Sequence, residues 1–507
     1  MFKPSEKQQA YFDWVKGSKG NCVLEAVAGS GKTTTIVKGL DYMSGYVFLG
    51  AYNKKMADEL KERVKGKTGV FAGTFHSAGF SALRYAHGNI NIEVTANKVR
   101  DIAKGIAAKN RSDLEELIGA VCSIVSMAKQ RGIGALSPMG DSSAWLEMIE
   151  FFSLDESIPA DVDLLKVVSY ARCVLHRSNL DVSTVDFDDM VYLPLQRNIK
   201  MLQNDWVLVD EAQDTNPTRR ELARRMLKPS GRLVAVGDRY QAIYGFSGVD
   251  NDALEQIETQ FNCTKLPLTV TYRCPKKIVS YAQNWVPHIE AGEDSPEGEV
   301  LRMESGDLLT ALTGTPRADF SETAVLCRYN KHLVELFFSL VRAGIPCHIE
   351  GKDIGLGLIK LASKWRASKL NVIKNRLEQY CKREVAKAVK EGKDQRADHI
   401  TDQVSTLLVL IDRAMGEGVT DIEGLKKMVG SVFSETKSDA KKDVITLSSC
   451  HRSKGLEWNT VYLLGREELM PSAFIRQEWQ LQQEINLIYV AITRAKKTLI
   501  EVALETQ

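Results

Sequence analysis

Short, almost wholly apolar runs recur through this 507-residue chain and constrain its fold more than any other feature. They lie at residues 47–49, 206–209, 233–236, 324–326, 461–464 and 499–500. Because these runs lack the polar alternation of a strand with one solvated face, they are typical of parallel strands that helices cover on both sides. We therefore predict an α/β fold with parallel sheets.

Two long stretches between these runs have a helical pattern instead. In the first, Ser112 and Glu115 have the spacing of a capping box, and apolar residues follow at intervals of three and four. In the second, Thr420 and Glu423 are predicted to open a helix in the same way, and Gly416 to end the preceding one. Each α/β core is therefore predicted to contain a mainly helical insertion.

This alternation gives the predicted domain boundaries. The first core is assigned residues 1–83 and 205–263, with a helical insertion at 84–204. The second core is assigned residues 264–352 and 442–507, with a short helical insertion at 353–441. A chain of this length is expected to form several domains rather than one.

The composition excludes several classes of protein. Hydrophobic residues make up 44% and charged residues 26%, as in ordinary folded proteins. No apolar stretch is long enough to cross a membrane and the amino terminus lacks a signal sequence, so we expect a cytoplasmic or nucleoid-associated protein. The nine cysteines contain no Cys-x-x-Cys pair that would suggest zinc or redox chemistry. With a net charge of only +2, any contact with nucleic acid should be a local groove.

A phosphate-binding loop is predicted at residues 26–33, AVAGSGKT, directly after a predicted strand at 21–25. It follows the P-loop pattern, with Ala26 where the strict form has glycine. Its glycines let backbone N–H groups surround phosphate oxygens, and the helix that follows adds its positive end. Lys32 is predicted to contact the β- and γ-phosphates of ATP, and Thr33 to bind Mg²⁺. The nucleotide-binding residues are predicted to be Ala28, Gly29, Ser30, Gly31, Lys32, Thr33 and Thr34.

Two carboxylates follow the apolar run at 206–209 and complete the predicted ATP site. Asp210 and Glu211 come at the carboxyl end of a buried strand, the edge where α/β sheets bind their ligands. Asp210 is predicted to hold Mg²⁺, and Glu211 to accept a proton from the attacking water. Together with the P-loop, this pair predicts a nucleoside triphosphatase.

These residues belong to an ordered set of motifs that resembles the UvrD/Rep-type helicases of superfamily 1A. The similar segments are Ser5 with Gln8, 52–54 (YNK), 73–76 (GTFH), 186–189 (DFDD), 210–214 (DEAQD), 236–246 (VGDRYQAIYGF), 271–273 (TYR), 324–330 (AVLCRYN), 451–458 (HRSKGLEW) and 489–495 (YVAITRA). The amino-acid sequences of the last two segments are similar to the corresponding motifs of the branch that includes F-box DNA helicases and phage relatives. The resemblance implies two RecA-like P-loop NTPase core domains and an ATP-dependent 3′→5′ translocase and DNA helicase.

The resemblance also implies roles at the ATP site. Gln8 would contact the adenine edge, Tyr272 would stack on its face, and Glu457 would contact the ribose. Gly455 would also belong to the nucleotide-binding residues. Gln241 would sense the γ-phosphate. Arg273 and Arg494 would be arginine fingers from the second core, because cations stabilise the charge that develops during phosphoryl transfer. Thr34 replaces an arginine that many relatives carry, so adenine binding is expected to depend more on Tyr272 and Gln8.

For the DNA track the resemblance implies an aromatic and polar set. Its members are Tyr52, Thr74, His76, Tyr244, Phe246, Arg328, Asn330 and His451. Bases can stack on aromatic rings without regard to sequence, which suits a motor that moves along single-stranded DNA. The implied partners are single-stranded DNA and single/double-strand junctions, with no membrane, and the protein is expected to be a monomer.

Two features make unwinding less well supported than translocation. The second insertion is shorter than in bacterial housekeeping relatives. The chain also ends soon after the strand at 499–503, where relatives continue into a strand-separating hairpin. A translocase that strips proteins from single-stranded DNA therefore remains an alternative. A second alternative is a scaffold subunit that only switches conformation on ATP.

The segment 374–396 is rich in lysine and arginine and predicted to be helical. A basic helix of this kind could grip duplex DNA, but a solvated helix face is the favoured interpretation.

Overall fold

The chain folds into two compact units, Met1–Thr269 and Val270–Gln507. The computed structural model describes residues 3–89, 91–110, 114–159, 161–245, 248–250, 252–390, 394–433, 443–473, 475 and 477–505. The predicted boundary after residue 263 is wrong, because the strand Cys263–Leu268 pairs with the strand before the P-loop and so belongs to the first unit. Within the described ranges, no helix has the length and apolarity that a membrane crossing requires.

The first unit contains eight of the described strands and eleven of the described helices. The strands are β1 (Asn21–Ala26), β2 (Val47–Ala51), β3 (Val70–Thr74), β4 (Glu93–Val94), β5 (Thr184–Val185), β6 (Asn204–Val209), β7 (Leu227–Gly237) and β8 (Cys263–Leu268). The helices are α1 (Glu6–Gly17), α2 (Lys32–Gly39), α3 (Lys54–Arg63), α4 (Phe75–Ala86), α5 (Lys98–Asn110), α6 (Leu114–Arg131), α7 (Ser142–Phe151), α8 (Leu164–Leu180), α9 (Asp189–Gln196), α10 (Pro217–Arg225) and α11 (Ala253–Gln260).

Six strands of this unit form a parallel sheet in the order β3-β2-β6-β7-β1-β8. The apolar runs predicted as strands lie in β2, β6 and β7, and their side chains are buried where helices cover the sheet. The order places β7 between β6 and β1. Because parallel strands end at the same edge, the residues after these three strands meet there.

The first insertion is mainly helical, with α5 to α9 and the short parallel pair β4 and β5. Its own apolar core includes Trp145, Val121 and Ile124, which are fully buried. The predicted helix after Ser112 is present as α6, whereas Ser112 itself lies outside the described residues.

The second unit contains eight of the described strands and nine of the described helices. The strands are β9 (Val270–Thr271), β10 (Glu290–Ala291), β11 (Glu299–Glu304), β12 (Thr323–Cys327), β13 (Cys347–Ile349), β14 (Ile445–Ser449), β15 (Trp458–Leu464) and β16 (Ala495–Ala503). The helices are α12 (Lys276–Ala282), α13 (Ser305–Thr313), α14 (Asn330–Arg342), α15 (Lys352–Ala362), α16 (Leu370–Lys390), α17 (Asp394–Gly416), α18 (Ile422–Val432), α19 (Arg466–Leu469) and α20 (Glu478–Ile492).

The second unit is built on a parallel sheet of the order β11-β16-β15-β12-β14-β13. Between β13 and β14 the described chain is helical, from α15 to α18. Helix α17 ends at Gly416, as predicted. The next helix does not begin at Thr420: Asp421 is its N-cap, and the Asp421 side chain accepts a hydrogen bond from the backbone of Gly424. Aspartate caps a helix at least as well as threonine, so this side chain takes the position.

Candidate nucleotide and nucleic-acid sites

The predicted P-loop joins β1 to α2 at the carboxyl edge of the first sheet. Gly29 and Gly31 have φ of 71° and 76°, a left-handed conformation that favours glycine, and Gly31 caps α2. The Ser30 hydroxyl is buried, and within the described part of the chain it has no hydrogen-bond partner. A buried polar atom without a partner is costly. The loop is therefore formed around an acceptor or donor that the chain does not supply, which fits a phosphate.

The two predicted carboxylates lie opposite this loop. The Lys32 ammonium group donates a hydrogen bond to Glu211 Oε2 over 3.0 Å, and the Thr33 hydroxyl lies 3.4 Å from Asp210 Oδ2. Glu211 has φ of 52°, a left-handed conformation at the turn directly after β6. Such strained residues cluster at functional sites, where the surrounding structure holds them in place. The fold thus brings together residues about 180 positions apart in sequence.

Negative charge is in excess at this site. Burial raises the pKa of Asp210 well above its usual range, and Glu211 adds to the shift whereas Lys32 opposes it. Burial likewise raises the pKa of Asp238 to about 6. Although burial opposes the charge on Lys32, the carboxylates of Glu211, Asp238 and Asp210 together raise its pKa. The ammonium group of Lys32 therefore interacts electrostatically with three carboxyl groups. The oxygen atoms of Thr33 and Asp210 are of the type that Mg²⁺ prefers.

Two residues of this site were missed by sequence reasoning. Gln213 donates to Glu211 Oε2 over 2.6 Å and accepts from the backbone of Asp238 over 3.0 Å. Asp238 in turn accepts from the Gln241 amide over 2.7 Å. A continuous hydrogen-bond chain thus joins Glu211 to Gln241. The position of Asp238 after the apolar run of β7 is the same signal that identified Asp210 after β6, and it would have found this residue.

Gln8 lies beside the helix that follows the P-loop. Its amide nitrogen donates to the Thr35 hydroxyl over 2.9 Å, and its amide oxygen accepts from the backbone of Ser5 in the capping box of α1. Thr34 is partly exposed on the first turn of α2. The structure therefore places Gln8, predicted to contact the adenine edge, and Thr34, predicted to bind the nucleotide, next to the phosphate loop.

An aromatic pair lies at the carboxyl edge of the first sheet. The Tyr52 ring stacks on the Tyr244 ring, with centroids 6.1 Å apart and planes inclined by 3°. Thr74 caps α4, and the partly buried His76 follows it. Of the predicted DNA-track residues in this unit, Phe246 lies outside the described residues.

The second unit carries the predicted arginine fingers. Arg273 forms an ion pair with Glu457 at 2.6 Å, and the neighbouring Tyr272 has 55% of its surface exposed. Arg494 is only 1% exposed and donates to the carbonyl oxygens of Val490 and Leu456. Burial, with repulsion from Arg273, lowers the pKa of Arg494 to about 9, so it keeps its charge at neutral pH.

Gly455, which was predicted to bind the nucleotide, has φ of 87°. A left-handed residue at this position of the loop before β15 favours glycine.

The remaining predicted DNA-track residues follow β12 and β14 in the second unit. Arg328 forms ion pairs with Glu484 at 2.9 Å and Asp398 at 3.5 Å. The Asn330 side chain donates to Asp402 over 3.0 Å. Burial, with repulsion from Arg328, lowers the pKa of His451 to about 3, so this imidazole is neutral. Arg328 and Asn330 are thus bound to helices of their own unit.

The DFDD segment, at residues 186–189, forms a buried ion network in the first insertion. Lys129 contacts Asp186 at 2.6 Å and Asp189 at 2.7 Å, and Lys98 contacts Asp189 at 2.7 Å. These residues join α5, α6 and α9. The network therefore links three helices of the first insertion.

We predict a pH-dependent stability from Asp188, which accepts a hydrogen bond from Ser126 beside this network. Burial raises the pKa of Asp188 to about 6, and Asp186 adds to the shift. The folded state therefore holds this proton more tightly than the unfolded state, and stability is lost as the pH rises from 4 to 6. Relative to the wild type, Asp188→Asn should gain about 2–3 kcal/mol of unfolding free energy across that window. Urea unfolding at both pH values measures this. A pH-independent difference would contradict the prediction.

The nucleotide-site geometry defines a P-loop enzyme, and comparisons with known proteins define the family. The UvrD/REP helicase N-terminal domain matches residues 6–262, and the UvrD-like helicase C-terminal domain matches residues 360–505. The chain belongs to the UvrD/REP helicase family, and its two parallel α/β units are the two RecA-like cores. This confirms the predicted fold class and the family resemblance.

Individual relatives match nearly the full chain. It is 22% identical to the ATP-dependent DNA helicase Rep of Escherichia coli, over 95% of this chain and 88% of that protein. It is 22% identical to the ATP-dependent DNA helicase PcrA of Bacillus subtilis, over 96% and 81%. It is 23% identical to the ATP-dependent DNA helicase UvrD2 of Mycobacterium tuberculosis, over 94% and 75%.

Proposed function

We propose that this helicase hydrolyses ATP to move 3′→5′ along single-stranded DNA and separates the strands of duplexes that it meets. The observation that carries the proposal is the convergence of Lys32, Thr33, Asp210 and Glu211 at one edge of the first sheet. A motor needs such a site to be connected to its track. The hydrogen-bond chain from Glu211 to Gln241 ends three residues before Tyr244, which supports that connection.

At the ATP site each residue has a chemical task. Lys32 would stabilise the negative charge of the β- and γ-phosphates, and Glu211 would accept a proton from the attacking water. Thr33 and Asp210 would hold Mg²⁺, which when bound neutralises phosphate charge. We assign Arg273 and Arg494 of the second unit as the cations that stabilise the transferred phosphoryl group. The exposed ring of Tyr272 supports an adenine platform.

On the DNA track, Tyr52 and Tyr244 are proposed as the stacking surface. Their rings are parallel and lie at the carboxyl edge of the sheet, beside the ATP site. Arg328, Asn330 and His451 would contact the strand from the second unit. Because Arg328 and Asn330 contact acidic side chains of that unit, DNA phosphates would have to compete for Arg328.

We predict that Tyr244→Ala weakens binding of single-stranded DNA about tenfold, because base stacking on an aromatic ring contributes about 1–3 kcal/mol. Fluorescence anisotropy of a labelled oligothymidine measures the affinity. Tyr46→Ala is the matched control, since Tyr46 is an exposed tyrosine that precedes β2 at the opposite edge of the sheet. If the wild type and the Tyr244 variant bound the oligonucleotide with equal affinity, Tyr244 would not be part of the DNA-binding surface.

The function is tested by strand displacement with ATP and Mg²⁺ on duplexes that carry either a 3′ or a 5′ single-stranded tail. Lys32→Ala is the inactive control. Displacement of the 3′-tailed duplex alone is the expected result. Absent displacement, with ATP hydrolysis still stimulated by single-stranded DNA, would replace unwinding by translocation that strips bound proteins. Absent hydrolysis would favour the scaffold alternative.

A further inference from the structure

Arg219 contacts both the ATP-site loop and the aromatic pair, although it lies in none of the motifs. It is in the first turns of α10, the helix that follows the DEAQD segment. Its guanidinium carbon lies 5.1 Å from the centre of the Tyr52 ring. Its Nη1 also donates to the carbonyl oxygen of Asp214 over 3.1 Å. One side chain thus contacts the loop after the catalytic carboxylates and the ring assigned to the DNA track.

The contact extends further along the sheet edge. Tyr52 stacks on Tyr244, so Arg219, Tyr52 and Tyr244 form a continuous row. Asp210 and Glu211 line the same narrow crevice as Tyr52, His76 and Arg219. The row therefore begins in the crevice that Asp210 and Glu211 line, and it ends at the proposed stacking surface.

The charge of Arg219 affects the protonation of the neighbouring His76. Burial lowers the pKa of His76 to about 4, and repulsion from Arg219 contributes to this shift. His76 is therefore neutral near pH 7 and leaves Arg219 as the cation of this crevice wall. Arginine suits the position because its planar group can lie against a ring while its edge donates hydrogen bonds, which lysine cannot do in the same way.

We propose that Arg219 is a positioning residue that holds the Tyr52–Tyr244 pair to the Asp210–Asp214 loop and couples DNA binding to ATP hydrolysis. The proposal rests on the proposed function, because it assigns a task within that motor. A change at Glu211 during hydrolysis would move the Asp214 carbonyl, and Arg219 would transmit that movement to Tyr52. Release and rebinding of bases would then follow the ATP cycle.

The first test compares Arg219→Gln and Arg219→Lys with the wild type in ATP hydrolysis titrated with oligothymidine. For Arg219→Gln we expect the half-saturating oligonucleotide concentration to rise about five- to tenfold, in line with the strength of a cation–π contact. The KM for ATP should change less than twofold. Arg224→Gln is the matched control, because Arg224 is exposed on the same helix and pairs with Glu221. The proposal would be overturned if Arg219→Gln lowered kcat, the affinity for ATP and the affinity for oligothymidine to the same extent and also lowered the melting temperature. That result would show a structural role for Arg219.

The conservative variant and a double mutant separate the remaining explanations. Arg219→Lys should behave like Arg219→Gln, and wild-type behaviour of the lysine variant would overturn the planar contact. If Arg219 acts through Tyr52, adding Arg219→Gln to Tyr52→Leu should raise the half-saturating concentration less than twofold further. If Arg219→Gln and Tyr52→Leu raised the half-saturating concentration independently of each other, the proposal that Arg219 acts through Tyr52 would be overturned. A wild-type protein that DNA does not stimulate would instead contradict the proposed function itself.

Discussion

Lys32→Ala should lower the kcat of DNA-stimulated ATP hydrolysis by about 10³-fold, since cations that stabilise developing phosphoryl charge contribute factors of this order. In the structure the Lys32 ammonium group is the cation shared by Glu211, Asp210 and Asp238. Its removal would take away a charge from the phosphate site and leave the three carboxyl groups to repel each other. Phosphate release at saturating single-stranded DNA measures the effect.

Lys38→Ala is the matched control for this experiment. Lys38 lies on the same helix α2, but it is exposed in the last turn, away from the P-loop. The control should retain wild-type kcat, and both variants should keep the wild-type circular dichroism spectrum. A Lys32→Ala protein that keeps more than about a tenth of the activity would show that another group stabilises the phosphates.

Lys129→Met should destabilise the first insertion by about 3–5 kcal/mol, because removing one partner of a buried ion pair leaves the other charge uncompensated. The Lys129 side chain is fully buried and contacts both Asp186 and Asp189. Methionine fills a similar volume but carries no charge, so the loss is electrostatic rather than a cavity. Urea unfolding followed by tryptophan fluorescence, with Trp145 in the insertion core, measures the change.

Hydrogen exchange shows which helices lose stability in the Lys129→Met variant. Peptides from α5, α6 and α9 should exchange faster in the Lys129 variant, because these helices carry the network. Lys104→Met provides the control, since Lys104 is an exposed residue of α5. Unchanged protection in all three helices would mean that Asp186 and Asp189 take up protons and that the network contributes little.

Local sequence patterns predicted strands of both sheets and the P-loop. The apolar runs identified strands of both sheets because a strand covered on both faces must be apolar throughout. The P-loop was recognisable because Gly29 and Gly31 adopt positive φ, which a sequence reveals through glycine. Asp210 was predicted to lie after a buried strand, where a carboxylate opens onto the ligand edge, and it directly follows β6.

The errors arose where a signal was weak. Strand β8 was not recognised because it is an edge strand, and its residues Thr264, Lys265 and Pro267 lack the apolar character of a central strand. The first unit was therefore ended too early. The start of α18 was assigned to Thr420 because its spacing to Glu423 matches a capping box, whereas Asp421 forms the cap.

The sequence by itself determined the α/β class, the P-loop and the carboxylates of this helicase, since each depends on residues close together in the chain. Only the tertiary structure decided which distant side chains share a contact. The strand order β6-β7-β1 brings Asp238 and Gln213 to the site, and the packing of α10 places Arg219 against Tyr52. The folding of the second unit likewise pairs Arg273 with Glu457, 184 positions away. Such contacts depend on how strands and helices pack in three dimensions, which local residue patterns do not encode.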